Sequence, residues 1–305
     1  MKIHYITNEK DIQEEEPTIL VLGYFDGLHI GHQALFDRAR SHAKERDRKV
    51  VVLTYPHSPK LTFERFRPEL LLHLTDPQER QDLFASYGVD HLYLLDFTSS
   101  FASLSPEAFV EQYIQALNPE TIIVGFDYHF GRGRADVRRL QDLFDGQVIV
   151  IDEVQMDGEK VSSSRIRDLV QKGDVKEANR LLGHTFSTEG LVVHGDARGR
   201  TIGFPTANLA NFEQVHLPAD GVYVTEVAID GKRYRAMTSI GFNETFGGTE
   251  LRLESHIFHY QEEIYGKRIR VYWLDKIREM EKFDGMESLM RQLQEDQAIS
   301  LDWKA

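Results

Sequence analysis

The sequence predicts an α/β domain with an open parallel sheet, followed by an antiparallel β-barrel with a terminal helix. Three observations predict it. Between residues 18 and 151, short apolar strand-like runs alternate with helical patterns, as in sheets whose strands are joined by crossover helices. From Ser187 onward the texture changes to successive strand-like runs separated by glycine or polar turns, which pack naturally as a barrel. At 305 residues the chain exceeds a typical single domain, and its 41% hydrophobic content can supply two cores. The boundary is expected near Gly183, giving residues 1–183 and 184–305 as the two domains.

Thr18-Ile19-Leu20-Val21-Leu22 is continuously apolar, as a strand buried on both faces would be, and Ala34, Leu35, Ala39 and Ala43 then recur at helical spacing. Lys49–Tyr55 forms a second strand, ended by Pro56-His57-Ser58-Pro59. Asp76-Pro77-Gln78-Glu79 carries the signals of a helix start, and the helix should stop at Gly88. His91–Phe97 and Thr121–Gly125 are further strands, with a helix from Ser105-Pro106-Glu107 between them. Gln147–Ile151 follows a helical pattern through Leu140 and Phe144. Asp174 caps a short helix that ends near Leu182-Gly183. The later strands are Glu189–His194, Val222–Ile229, Tyr234–Ile240, Leu251–Phe258 and Arg268–Leu274. Asp284-Gly285-Met286-Glu287 reads as a capping box for the last helix.

The net charge of −13 argues against a protein that coats nucleic acid, although one small nucleotide in a locally basic pocket is compatible with it. There is no cysteine, which excludes disulfides, thiolate catalysis and Cys-type zinc sites, and fits a cytoplasmic setting. Met1–Pro17 is polar where a signal peptide needs an apolar core, and no run approaches membrane-spanning length, so no membrane association is expected. The oligomeric state is left open.

The stretch Gly23-Tyr24-Phe25-Asp26-Gly27-Leu28-His29-Ile30-Gly31-His32 joins the first strand to the first helix. Free backbone N–H groups and the positive end of a helix dipole favour an anion there, and His29 and His32 share one helical face. Gly23, Phe25, Asp26, Gly27, Gly31 and the two histidines are therefore candidates for a nucleotide-phosphate site. The loop Gly125–Arg134 mixes Asp127, aromatic rings including Phe130, and arginines, a composition suited to a ligand. In Ser162-Ser163-Ser164-Arg165-Ile166-Arg167, one serine can cap a helix. Three hydroxyls with Arg165 and Arg167 exceed that need and suggest a second phosphate contact.

In the second half, Gly199-Arg200-Thr201-Ile202-Gly203-Phe204-Pro205-Thr206-Ala207-Asn208 is either a phosphate loop or a plain turn between strands. Gly199 and Gly203 could let backbone approach a phosphate, and Thr206 and Asn208 could offer neutral oxygens to Mg²⁺. Glu254 shares a strand face with His256 and Phe258. An inward carboxylate there would need a task such as general-base work, whereas an outward one would be an ordinary solvated glutamate; alternation allows both.

Together these motifs resemble the prokaryotic bifunctional riboflavin kinase/FAD synthetases along nearly the whole chain. Gly23–His32 is similar to the family's adenylyltransferase signature, Ser162–Arg167 to its second nucleotide motif, and Gly203-Phe204-Pro205-Thr206-Ala207-Asn208 to its riboflavin-kinase signature. No Gly-x-x-x-x-Gly-Lys-Ser/Thr motif is present, which argues against a P-loop kinase. The resemblance implies a Rossmann-like nucleotidyltransferase domain and a riboflavin-kinase-type barrel. It implies that riboflavin is phosphorylated by ATP to FMN, with Glu254 as base and Thr206 and Asn208 at the metal and phosphates. It further implies that FMN is adenylylated by a second ATP to FAD, with His29, His32, Ser163, Ser164 and Arg167 around the phosphates and Mg²⁺ as counter-charge. The flavin-side residues would be Asp127, Phe130, His57 and Asn243.

The chain departs from the family at Pro56-His57-Ser58-Pro59, where Pro-His-Pro is usual; at Ala135, where glycine is common; and at Asn243-Glu244-Thr245, where Asn-Pro-Thr is usual. The last change frees φ and adds a negative charge, and could weaken the kinase alone. An adenylyltransferase with a weakened kinase module, or a flavin-binding regulatory protein, are the alternatives to a bifunctional enzyme.

Overall fold

The chain opens on a strand that its polar N-terminus does not announce. A computed structural model describes residues 1–195, 199, 202–210, 214–242 and 251–304. The chain divides into two compact units, Met1–Leu72 with Pro77–Ser162, and His73–Asp76 with Ser163–Ala305.

In the first unit β1 (Lys2–Ile6), β2 (Thr18–Leu22), α1 (Ile30–Arg46), β3 (Lys49–Thr54), α2 (Lys60–Phe63), α3 (Pro77–Ser86) and β4 (His91–Leu95) follow in order. They are succeeded by α4 (Ser99–Ala102), α5 (Pro106–Phe109), β5 (Pro119–Gly125), α6 (Val137–Leu143) and β6 (Gln147–Ile151). A hairpin of β7 (Gln155–Met156) and β8 (Glu159–Lys160) ends the unit. The sheet runs β1-β4-β3-β2-β5-β6, all parallel.

Alternation along β2 explains its uninterrupted apolar run. Leu20 and Leu22 enter one core cluster with Val51, Leu53 and Val124, while Ile19 and Val21 enter the other with Val50, Val52 and Ile123. The strand order reverses between β2 and β5, which opens a crevice at their carboxyl ends, the usual ligand position in such sheets. Helix α1 covers one face of this sheet with Leu35, Phe36, Ala39 and Ala43.

In the second unit α7 (Ser163–Lys172) and α8 (Val175–Leu182) precede β9 (Ser187–Val193), β10 (Ala207–Ala210), β11 (Gly221–Ile229), β12 (Lys232–Phe242), β13 (Leu251–Ile257) and β14 (Arg268–Arg278). These six strands close into an antiparallel barrel in the order β10-β13-β12-β11-β14-β9, and α9 (Met286–Asp302) follows. Strand β10 lies inside a stretch whose glycines and proline read as loop. Helices α7 and α8, which precede Gly183, group with the barrel. Asn179 on α8 donates to Trp273 O at 2.8 Å and accepts from the Phe186 N–H at 2.6 Å.

The barrel interior holds a chain of hydroxyls. Thr225, Thr238 and Ser255 are all 0% exposed, and their oxygens are linked in sequence at 2.8 Å each. Trp273 Nε1 donates to Thr188 Oγ1 at 3.1 Å. Each buried polar group is matched by another, so the polarity carries little desolvation penalty. The last helix departs from expectation at its start: the N-cap is Gly285, with no side-chain cap bond, one residue beyond the Asp284 of the expected capping box. It is held instead by Asp296, fully buried, which takes a fork from Arg278 at 3.0 and 2.8 Å.

The four residues His73–Asp76 pack with the second unit although their sequence neighbours belong to the first. The His73 N–H donates to Gln214 O and the His216 N–H to His73 O, both at 2.9 Å. Asp76 meets Arg270 at 2.5 Å, and Arg270 also reaches Ser187 Oγ and Glu189 Oε2 at 3.1 Å.

Candidate active sites

The first candidate site grows from the end of β2. The turn Gly23–Leu28 passes through Phe25 (φ 56°) and Leu28 (φ 44°), and leads into α1 with Gly31 in its first turn. Phe25, Asp26, Gly27 and Leu28 are buried. His29 is the N-cap of α1, its Nδ1 accepting the His32 N–H at 3.3 Å. The expected shared face of the two histidines is realised as a stack, with ring centroids 3.6 Å apart and planes 16° from parallel. Burial pushes His29 down to about 4, against a smaller upward pull from Asp26. Burial likewise holds His32 well below the ordinary imidazole range, reinforced by His29 and Arg80. Both rings are therefore neutral near pH 7 and act as dipolar hydrogen-bonding groups rather than as cations. His32 Nδ1 is buried without a hydrogen-bond partner among the described residues.

The loop after β5 lies on the other side of the strand-order reversal. Asp127 pairs with Lys160 of β8 at 2.5 Å, and the Lys160 ammonium sits 4.6 Å from the centroid of the Phe126 ring. Phe130 is 6% exposed and packs in the core against Phe109 and Tyr128, so the exposed rings of this loop are Phe126 and His129. His57 is exposed in the loop after β3. Ser162 ends the first unit, while Ser163, Ser164, Arg165 and Arg167 open α7 in the second. Arg165 lies 3.8 Å from Glu177 on α8.

The sequence motifs passed over two cations of the first unit. Lys160 sits just ahead of the serine run, and its proximity to Asp127 depends on the short β7–β8 hairpin. Arg80 lies on α3, one helical turn before Phe84 on the same buried side; that spacing was the available signal.

The second candidate site is built on the barrel wall. Glu254 and Asn208 are opposite one another in the β10–β13 register. Thr206 Oγ1 donates to Glu254 Oε2 at 3.1 Å. The Asn208 side chain occupies the space where a Cβ on Gly195 would fall, 2.4 Å away. Gly203 sits in the turn ahead of this strand, and the Gly199 carbonyl accepts the Phe204 N–H at 2.9 Å. A Cβ on Gly199 would stand 2.1 Å from Phe204 O, so this glycine is required for the close crossing of the loop. Asn243, with Glu244 and Thr245, lies outside the described residues.

Glu254 does not point into the barrel. Leu253, Ser255 and Ile257 take the interior, which leaves Glu254 and His256 on the outer face. That face is nonetheless covered. His256 Nδ1 is 2.7 Å from Pro205 O, and Phe204, Met237 and Phe258 cluster there with Leu293 of α9. Phe258 itself sits in the turn after the strand. Glu254 is thus half-buried beneath its own loop, with a hydroxyl already aimed at it.

Fold and sites define a nucleotide-dependent transferase made of two separately built modules. The FAD synthetase family pattern matches residues 11–165, and the riboflavin kinase pattern matches residues 182–303. The chain is 38% identical over 283 residues to the bifunctional riboflavin kinase/FMN adenylyltransferase of Listeria monocytogenes, covering 92% of this chain and 90% of that one. It is 35% identical over 305 residues to the Bacillus subtilis enzyme of the same name, covering 97% and 96%. The chain belongs to the bifunctional riboflavin kinase/FMN adenylyltransferase family. A solved Streptococcus pneumoniae structure, described as a macrolide-efflux protein, matches all of both chains at 46% identity with a TM-score of 0.96. Among the described residues no helix of this chain is long and apolar enough to cross a membrane.

Proposed function

We propose a division of labour for a chain that phosphorylates riboflavin to FMN and then adenylylates FMN to FAD, using ATP at both steps. The observation that carries the assignment is the Thr206–Glu254 contact, with Asn208 opposite Glu254 in the barrel register. Glu254 accepts the proton of the riboflavin 5′-hydroxyl as that oxygen attacks the γ-phosphorus of ATP; the bond to the β,γ-bridging oxygen breaks and ADP leaves. Thr206 donates to the carboxylate and keeps it oriented.

The donor set near Glu254 suits a hard cation carried by a nucleotide. Thr206 and Asn208 would offer it neutral oxygens, the kind of donor such an ion takes alongside phosphates and water. Mg²⁺ bound there would neutralise phosphate charge.

For the second step, a phosphate oxygen of FMN attacks the α-phosphorus of ATP and pyrophosphate leaves. The FMN phosphate is already anionic near neutral pH, so no protein base is required. Positioning and charge stabilisation remain to be supplied. We assign them to the N-terminus of α1 with the neutral His29 and His32, within a turn shaped by Gly23, Phe25, Asp26, Gly27 and Gly31. Following the sequence resemblance, Ser162, Ser163, Ser164, Arg165 and Arg167 take phosphate oxygens in this step. Asp127 and His57 are assigned to the flavin side.

Purified protein incubated with riboflavin, ATP and Mg²⁺ should yield FMN and then FAD by chromatography. Absence of FAD from added FMN would sink the assignment. FAD from FMN without FMN from riboflavin would favour a kinase weakened at Asn243-Glu244-Thr245. Glu254→Gln should stop FMN formation while FAD is still made from FMN; unchanged phosphorylation would remove Glu254 as the base.

A further inference from the structure

Arg80 lies outside every motif named above, yet it is 6% exposed. A guanidinium cannot shed its proton, so at this burial it must find acceptors. It finds three, all at the carboxyl ends of two adjacent strands. Nη1 donates to Tyr55 O at 2.8 Å, and Nη2 donates to Thr54 Oγ1 at 2.8 Å and to Tyr24 O. The Thr54 hydroxyl in turn donates to Tyr24 O at 2.9 Å, closing a triangle. The Tyr24 and Phe84 rings flank the guanidinium, with centroids 5.2 and 5.6 Å away.

The Tyr24 carbonyl belongs to the peptide that enters Phe25, a bulky residue held in the left-handed region at φ 56°. Such a conformation persists only where its surroundings over-determine it. The Phe25 ring folds back over Gly23, where a Cβ would meet it at 2.6 Å, and forms a T-shaped pair with His32 at 5.2 Å between centroids. A continuous path of contacts therefore runs from Arg80 through Tyr24 and Phe25 to the His32–His29 stack. The cation also disfavours a proton on His32.

We propose that Arg80 is a positioning residue for adenylyl transfer: it clamps the Tyr24–Phe25 peptide to the end of β3 and so fixes the strained turn that presents His29, His32 and the start of α1 to the nucleotide. The inference rests on assigning Gly23–His32 to that step. A fork is required because three acceptors are held from two nitrogens, so lysine cannot reproduce the clamp.

The test uses the full-length chain with Arg80→Met and Arg80→Lys, assayed separately for FMN formation from riboflavin and FAD formation from FMN. Rates are taken per folded molecule, with the folded fraction read from thermal melts by circular dichroism. Because Arg80 works through the turn, Arg80→Met should lower kcat for FAD formation about 100-fold, the scale of a misplacement near 1 Å, with a smaller change in KM for ATP. Riboflavin phosphorylation should be unchanged, and Arg80→Lys should recover only part of the loss. A purely structural role would lower the melting temperature and leave kcat per folded molecule at the wild-type value, which overturns the proposal. Equal loss of both activities overturns it too.

If the Arg80 variants do not fold, Thr54→Val decides, since it removes the hydroxyl shared by Arg80 and Tyr24 O. A lowered kcat for FAD formation with intact kinase supports the clamp, and an unchanged kcat refutes it. His29→Ala is run in parallel. Retained FAD formation in that variant overturns the site assignment, and the inference with it; its loss beside a wild-type Arg80→Met overturns the inference alone.

Discussion

His29 and His32 are uncharged near pH 7, and this has a pH signature. The folded value of His29, about 4, lies below the ordinary 6.5, so between these values the unfolded chain binds more protons than the folded one. Stability from this site is complete above the unfolded value and is lost as pH falls from about 6.5 toward 4. The melting temperature should drop on going from pH 7 to pH 5. The decline should be shallower in His29→Asn, which keeps an N-cap acceptor but cannot titrate. The histidine pair was legible from its spacing after a strand. Its neutrality was not, because that depends on burial supplied by elements far away in sequence. Arg80 was overlooked for the same reason: only its one-turn spacing to Phe84 hints at burial, and beside Gln78, Glu79, Gln81 and Asp82 it looks like one more solvated helix charge.

At the scale of elements, the terminal helix is locked by one buried ion pair. Asp296 is fully buried, and the Arg278 side chain is 14% exposed. Removing one partner of such a pair typically costs about 3–5 kcal/mol, since the other charge stays buried alone. Asp296→Ala should therefore loosen α9, uncover the Phe204–Met237–Phe258 cluster through Leu293, and depress riboflavin phosphorylation. FAD formation from added FMN should survive; coupled loss of both activities would contradict separate modules. The hydroxyl chain in the barrel makes a second prediction. Thr238→Val strands Thr225 and Ser255, and the cost should be about 1–3 kcal/mol in chemical denaturation.

Strands with both faces buried, such as β2 and β3, were plain in the sequence because nothing interrupts their apolar runs. Strand β1 was not, since it lies at the sheet edge and leaves most of its residues partly exposed. Strand β10 has four residues and is embedded in a glycine–proline loop. For Glu254, a period of two names the pair of faces without saying which is inside. The interior includes Thr225, Thr238 and Ser255, hydroxyls that hydrophobic patterning alone does not mark as buried and that satisfy one another there.

For the whole molecule, the two activities should separate by mutation and run in series. From riboflavin, FAD should appear after a lag in which FMN accumulates, and no lag should remain when FMN is supplied. Failure to see the lag disappear would contradict two consecutive steps. The order and spacing of the three signatures made this organisation legible. What they could not reveal is the segment His73–Asp76, whose four residues look like an ordinary approach to a helix. Its partners, Gln214, His216 and Arg270, lie more than a hundred residues away. Asp76→Ala in the intact chain should lower the melting temperature of the barrel unit by removing one of the two carboxylates that Arg270 meets, with Glu189 and Ser187 still in place. The consequence reaches beyond stability. A gene for this protein cut into two cassettes at residue 184 would therefore part Arg270 of the barrel from Asp76, one of its two carboxylate partners, although nothing in the sequence near the cut announces it.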